Sequence, residues 1–177
     1  MIRSGEMAQA ETAQRSAEAT AVAAFEAFIA HDIEALLANW HPEGIQDWVA
    51  LGVFRGHDEM RELFTGVFAA MPNGRTTIEG TVADERRCVI EWRMRGTHDG
   101  APFRGIEQTG REIELRGVDV MEVEDGFVVR NTVYYDGAAY ARGLGMLPPQ
   151  DSGAEKLMIG AFNGVTKLRR VIADRKL

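Results

Sequence analysis

REIELRGVDVMEVEDGFVVRNTVYYD, residues 111–136, reads as two strands joined by a turn, and it carries one residue that does not belong to the pattern. From Ile113 to Val123 the chain alternates. Ile113, Leu115, Gly117, Asp119, Met121 and Val123 share one face, and Glu112, Glu114, Arg116 and Glu122 take the other. A period of two is the mark of a half-buried strand. Asp119 therefore lies on the apolar face, where an unpaired carboxylate costs several kcal/mol unless it is hydrogen-bonded, paired or protonated.

The turn Glu124-Asp125-Gly126 can close with two or three residues. A three-residue loop with Gly126 as a bulge residue pairs Val123 with Phe127 and Met121 with Val129, which keeps apolar residues together. Carried on, it sets Asp119 opposite Asn131, Gly117 opposite Val133 and Leu115 opposite Tyr135.

Upstream, the spacing of Ala21, Ala24, Phe25, Phe28 and Ile29 predicts a helix over 17–30, broken at His31-Asp32. Asp32 suits the N-cap of a second, short helix through Leu36, Leu37 and Trp40, ended by Pro42 and Gly44. Residues 45–53 read as extended. Asp58 is placed as the cap of a third helix striped by Met60, Leu63, Phe64, Val67, Phe68 and Met71 and stopped by Pro72-Asn73-Gly74. Strands are predicted over 76–82, 87–98, 111–123 and 127–136. Beyond a short helical piece at 138–144 and Pro148-Pro149, Ser152 and Glu155 open a long amphipathic helix with Met158, Phe162, Val165 and Ile172 on its stripe. The predicted organisation is a flexible N-terminus at 1–15, one domain over 16–147, and a helical extension over 148–177 packed on it.

The chain has 177 residues, 45% of them hydrophobic, about one domain's worth of core. A formal charge of -7 argues against a nucleic-acid partner, because phosphate binding needs clustered Lys and Arg. Cys88 is the single cysteine, so no intrachain disulfide forms, and it reads as buried packing. No apolar run approaches a membrane span, so a cytoplasmic protein is expected. Four histidines, without HExxH or CxxC, make a metal site improbable, and Gly143-Leu144-Gly145 lacks the setting of a dinucleotide loop. Neither cofactor nor metal is expected.

Three ionisable residues stand out as acid–base candidates: Asp119, Asp47 and His98. On 87–98 the residues Cys88, Ile90, Trp92, Met94, Gly96 and His98 share one parity, which sets His98 on the side of Asp119. It is either a proton carrier or a histidine capping the following loop. Asp47 shares a face with Ile45 if that segment is a strand, with Trp40 and Trp48 near it, and is otherwise a surface acid. Asp119 is either a catalytic acid–base group or a structural acid bonded to Asn131 or to backbone N–H groups. Two carboxylates with separated pKa values would supply an acid and a base near neutral pH.

Ala24-Phe25, Trp40-His41-Pro42-Glu43, Arg55-Gly56-His57-Asp58, Thr97-His98-Asp99-Gly100, Thr109-Gly110-Arg111, Glu124-Asp125-Gly126 and Tyr135-Asp136, in that order, resemble the SnoaL-like polyketide cyclases. These belong to the superfamily of ketosteroid isomerases, scytalone dehydratase and nuclear-transport-factor-like proteins. The resemblance covers about residues 20–147. It implies an α+β fold: a cone-shaped, curved antiparallel β-sheet wrapped around N-terminal helices (a cystatin-like α+β barrel), here with an additional C-terminal helix. It also implies cofactor-free acid–base chemistry on a hydrophobic, carbonyl-bearing, polyketide- or steroid-like substrate, giving cyclisation or isomerisation, and a homodimer. In the family an Asp on the last strand works with a His on the strand before it; the matching positions here are Val133 and Asp119. Asp47 lies near the general base of the isomerases, with a one-residue slip.

The expected site is thus Asp119 with Asp47 or His98, oriented by Asn131 and walled by Trp92, Met94, Trp48 and Tyr135, with Gly117 leaving room for the ligand. Two other readings stand beside it: a non-catalytic binding or interaction module, and a dehydratase or epoxide hydrolase in the same pocket.

Overall fold

The computed structural model describes residues 15–174. The predicted flexible N-terminus therefore lies almost wholly outside the described residues. Two helices open the chain, α1 (Ala17–Ile29) and α2 (Ile33–Ala38), followed by β1 (Trp40–Trp48), β2 (Gly52–Arg55) and α3 (Gly56–Ala70). Then come β3 (Arg75–Ala83), β4 (Arg87–Thr97), β5 (Glu112–Glu124), β6 (Phe127–Tyr135), α4 (Gly137–Leu144) and α5 (Gly153–Asp174). The six strands form one sheet in the order β2-β1-β6-β5-β4-β3. It curves over α1 and α3, and the core lies between its inner face and these helices, with Ala21, Ala24, Phe25, Met60, Leu63 and Phe64 meeting Cys88, Ile90, Ile113, Leu115 and Met121.

Local chemistry accounts for most of the boundaries. Ser16 and Asp32 cap α1 and α2, accepting from the backbone N–H groups of Ala19 and Ala35 at 3.1 and 3.0 Å. The second helix, expected to reach Trp40, stops at Asn39. Pro42 disfavours helix at the residue before it, and the Asn39 carbonyl accepts from Val128 N–H at 2.9 Å, which draws the chain into the sheet. Asp58 is not the cap of α3: Arg55 holds that position without a side-chain bond, and Glu59 accepts from the Arg55 N–H at 2.7 Å. At α5, Ser152 accepts from Glu155 N–H, and Glu155 reaches back to the N–H of Asp151.

Two sheet expectations are corrected. Four pairings are antiparallel, but β1 runs parallel to β6, so the sheet is mixed. A parallel neighbour needs a long crossover, here everything from β2 to β5. The β5–β6 hairpin closes with two residues, pairing Glu124 with Phe127. Asp125 and Gly126 have φ of 50° and 80°, the left-handed values that a two-residue Asp-Gly turn of type I′ demands. Val123 then pairs with Val128 and Glu122 with Arg130, so Val129 is an extra, bulged residue. The bulge restores the face pattern, but Asp119 now lies opposite Val133, Met121 opposite Asn131, and Gly117 opposite Tyr135.

In the predicted extension, α5 leaves its apolar stripe in the open, with Leu157, Phe162 and Leu168 exposed to 75%, 68% and 60%. It is tied to α4 by Arg142 Nη2 donating to Glu155 Oε1 at 2.9 Å. No helix among the described residues is long and apolar enough to cross a membrane.

Gly126→Ala should destabilise the protein by about 1 kcal/mol in urea unfolding, because alanine resists the positive φ, whereas Asp125→Asn, which tolerates it, should leave the midpoint unmoved.

Candidate active site

Under the sheet lies a cavity with about 100 Å³ open to the centres of water-sized molecules. Its floor is the inner face of β1, β6, β5 and β4, and its roof is α1 and α3, with Phe25, Phe28, Phe64 and Phe68. Asp119 is the one Asp or Glu among the described lining residues, and no Lys or Arg joins them. Its side chain is 6% exposed. Trp92 Nε1 donates to Oδ1 at 2.6 Å, and Asn131 Nδ2 donates to Oδ2 at 2.5 Å. One donor on each oxygen leaves a lone pair of each unused. Burial raises the carboxyl from 3.8 to about 6, and the two neutral hydrogen bonds pull it back only in part.

Each partner is delivered by a distinct feature of the fold. On β4, Trp92 stands opposite Gly117 of β5, and a Cβ at Gly117 would sit 2.3 Å from Trp92 Cζ2. The space at Gly117 is thus filled by the indole that holds Asp119, not kept for ligand as expected. Asn131 faces inward because Val129 is bulged; without that extra residue Arg130 and Thr132 would take the inner parity.

Two expected members are not brought to Asp119. On β1 the inward residue is Gln46, 2% exposed and level with Asn131 across the parallel pairing. Asp47 points outward, with an oxygen 3.7 Å from Arg130 Nη1. Ile45 and Asp47 do share one face, but it is the outer one, because the buried positions of β1 are Trp40, Gly44 and Gln46. His98 is buried on the predicted face but lies eight residues along from Ile90, the partner of Asp119, which is roughly 26 Å of strand. It organises the following loop: its carbonyl accepts from Thr109 and Gly110, and Nδ1 accepts from Thr109 N–H at 3.3 Å. Cys88 is buried, and burial pushes its thiol up.

Trp48, Trp92, Met94, Asn131 and Tyr135 all line the cavity. The residues missed are Gln46, Tyr140 and His31. Tyr140 on α4 stands edge-on to Tyr135, with centroids 6.2 Å apart, and Tyr135 stands edge-on to Trp48 at the same separation. Burial pushes the Tyr135 hydroxyl to about 12, helped by Tyr140, so it keeps its proton at neutral pH. His31, at a φ of 57°, stacks on Phe68 with centroids 4.2 Å apart. Its sequence signal was the helix break at His31-Asp32.

Residues 21–131 match the family model of the SnoaL-like domain. The chain belongs to the SnoaL-like domain family. No curated protein matches it in sequence. Among solved structures, a candidate SnoaL-like polyketide cyclase from Jannaschia sp. CCS1 superposes on this SnoaL-like domain with a TM-score of 0.66, at 17% identity over 73% of this chain and 91% of its own. AclR, a candidate hydroxylase from Streptomyces galilaeus, gives 0.64 at 22% identity, covering 80% and 89%. IdmH, a candidate polyketide cyclase from Streptomyces antibioticus, gives 0.63 at 23%, covering 74% and 99%. At these identities the likeness is one of fold, and relatives of different named activities share it.

Gly117→Ala should lower stability by about 1–3 kcal/mol through overpacking. Because it displaces Trp92 from Oδ1, it should also raise the Asp119 titration midpoint above about 6 in carbon-13 NMR of the carboxyl.

Proposed function

We propose that this SnoaL-like domain is a cofactor-independent enzyme that moves a proton on a hydrophobic, carbonyl-bearing substrate, with Asp119 as the proton carrier. The observation that carries this reading is a lone carboxylate in an apolar cavity, hydrogen-bonded to two neutral donors and poised at about 6. At pH 7 such a group is mostly ionised, and it is a stronger base than an exposed aspartate. Its free lone pairs can take a proton from the carbon α to a ketone. The electron pair of that C–H bond moves into an enolate, whose oxygen needs a donor. The Tyr135 hydroxyl is our candidate for it. The proton on Asp119 then returns to a different carbon in an isomerisation. In a cyclisation it goes to the alkoxide formed when the enolate carbon attacks a second carbonyl of the same molecule.

The resemblance to the cyclases supports a relocated base. The family's Asp position on the last strand is Val133, and Val133 is the direct cross-strand partner of Asp119. A carboxylate moved by one strand still faces the same cavity, about 5 Å from its former seat.

The test needs no native substrate: exchange of the α-protons of 2-tetralone in heavy water, followed by proton NMR. Asp119→Asn should slow the protein-catalysed exchange by about 10²–10⁴-fold, and the wild-type rate should rise with pH through about 6. Stability should move the other way. A carboxyl raised from 3.8 to about 6 favours folding when protonated, so the wild type loses up to about 3 kcal/mol as pH rises across that window. The variant carries no such loss, because Asn131 can turn its amide and offer Oδ1, which has no partner in the wild type. It should therefore melt higher at pH 8, with the difference closing near pH 4. Exchange unchanged by the substitution would refute catalysis by Asp119 and leave a binding module.

A further inference from the structure

Two more polar groups on the cavity floor have no partner within the protein. Gln46 Oε1 is a buried acceptor without a donor, and Trp48 Nε1 is a buried donor without an acceptor. Each such group costs about 1–3 kcal/mol when left unmet. They stand two residues apart on the inner face of β1, roughly 7 Å along the strand, and both side chains line the cavity. On the next strand Asn131 has committed its amide N–H to Asp119, which leaves its own Oδ1 as another unpaired acceptor beside Gln46. The pairing sets Trp48 in one row with Val133 and Asp119, two strand spacings or about 10 Å from the carboxylate.

We infer that Gln46 and Trp48 form a second polar subsite, which takes a neutral hydroxyl group of the substrate about two strands away from Asp119. A hydroxyl is the simple function that meets both demands at once, since it donates to Gln46 Oε1 while accepting from the Trp48 indole N–H. A charged oxygen does not fit. Among the described lining residues no Lys or Arg could pair with a phenolate or carboxylate, and ionised Asp119 would repel either. The flat body between the two poles would lie along Trp48, Tyr135 and Met94. The subsite rests on the cavity's being the substrate site but not on Asp119's being a base, and its test separates the two.

The probes are 2-naphthol and 2-methylnaphthalene, which differ by a hydroxyl in place of a methyl, with affinities measured by calorimetry. Naphthol should bind about 10-fold tighter to the wild type and to Asp119→Asn, in line with two net hydrogen bonds. The preference should vanish in Gln46→Leu and in Trp48→Phe, and Gln46→Leu should fold normally because it removes an unmet acceptor. In the wild type, naphthol alone should shift the Trp48 indole N–H resonance, assigned through Trp48→Phe. That readout stands even if a variant fails to fold. A preference that survives both β1 variants, or one abolished by Asp119→Asn alone, would overturn the subsite and leave the Asp119 reading in place. Binding of neither naphthalene would overturn the cavity reading together with the subsite.

Discussion

The bond from the Trp92 indole to the Asp119 carboxylate is the constraint around which the inner face is arranged. A buried carboxylate without a cation must be met by neutral donors, and each donor makes its own demand on the fold. The indole can cross from β4 to Asp119 only because Gly117 has no side chain in its path. Asn131 can reach the other oxygen only because the bulge at Val129 turns it inward. A glycine, a bulge and the register of one hairpin thus serve a single side chain.

In the proposed reading, the arrangement is a compromise between stability and reactivity. A cation beside Asp119 would stabilise the charge but would also hold the carboxyl low and make it a poor base. Two neutral donors orient it and leave the desolvation largely unanswered, so the proton affinity stays high. The unmet groups at Gln46, Trp48 and Asn131 have the same character. Three of the six buried side-chain groups without a partner among the described residues lie on this one face, and functional sites are where such violations are expected.

Much of this was legible beforehand, for identifiable reasons. Alternation over Ile113 to Val123 placed Asp119 inside, and the parity of β4 placed Trp92 and Met94 there too; side-chain period belongs to a strand wherever its neighbours lie. Helix caps at Asp32 and Ser152 were equally local. What failed depended on which face a strand turns inward or on counting across an irregularity. On β1 the inner face carries Gln46 where Asp47 was expected, and the two-residue turn together with the extra residue at Val129 moved the β5–β6 pairings beyond the bulge by two. His98 had the right face but the wrong distance, because parity says nothing about position along a strand.

By itself, then, the sequence determined most of the elements and, along β4 and β5, which side chains face inward, since both follow from short-range periodicity and capping. It also marked Asp119 as the anomaly. Only the tertiary structure decided what Asp119 meets, that β1 lies parallel beside β6, and that the apolar stripe of α5 stays uncovered. Those facts come from contacts between residues far apart in the chain, set by bulges, crossovers and the closure of helices over a curved sheet, and no local pattern encodes them.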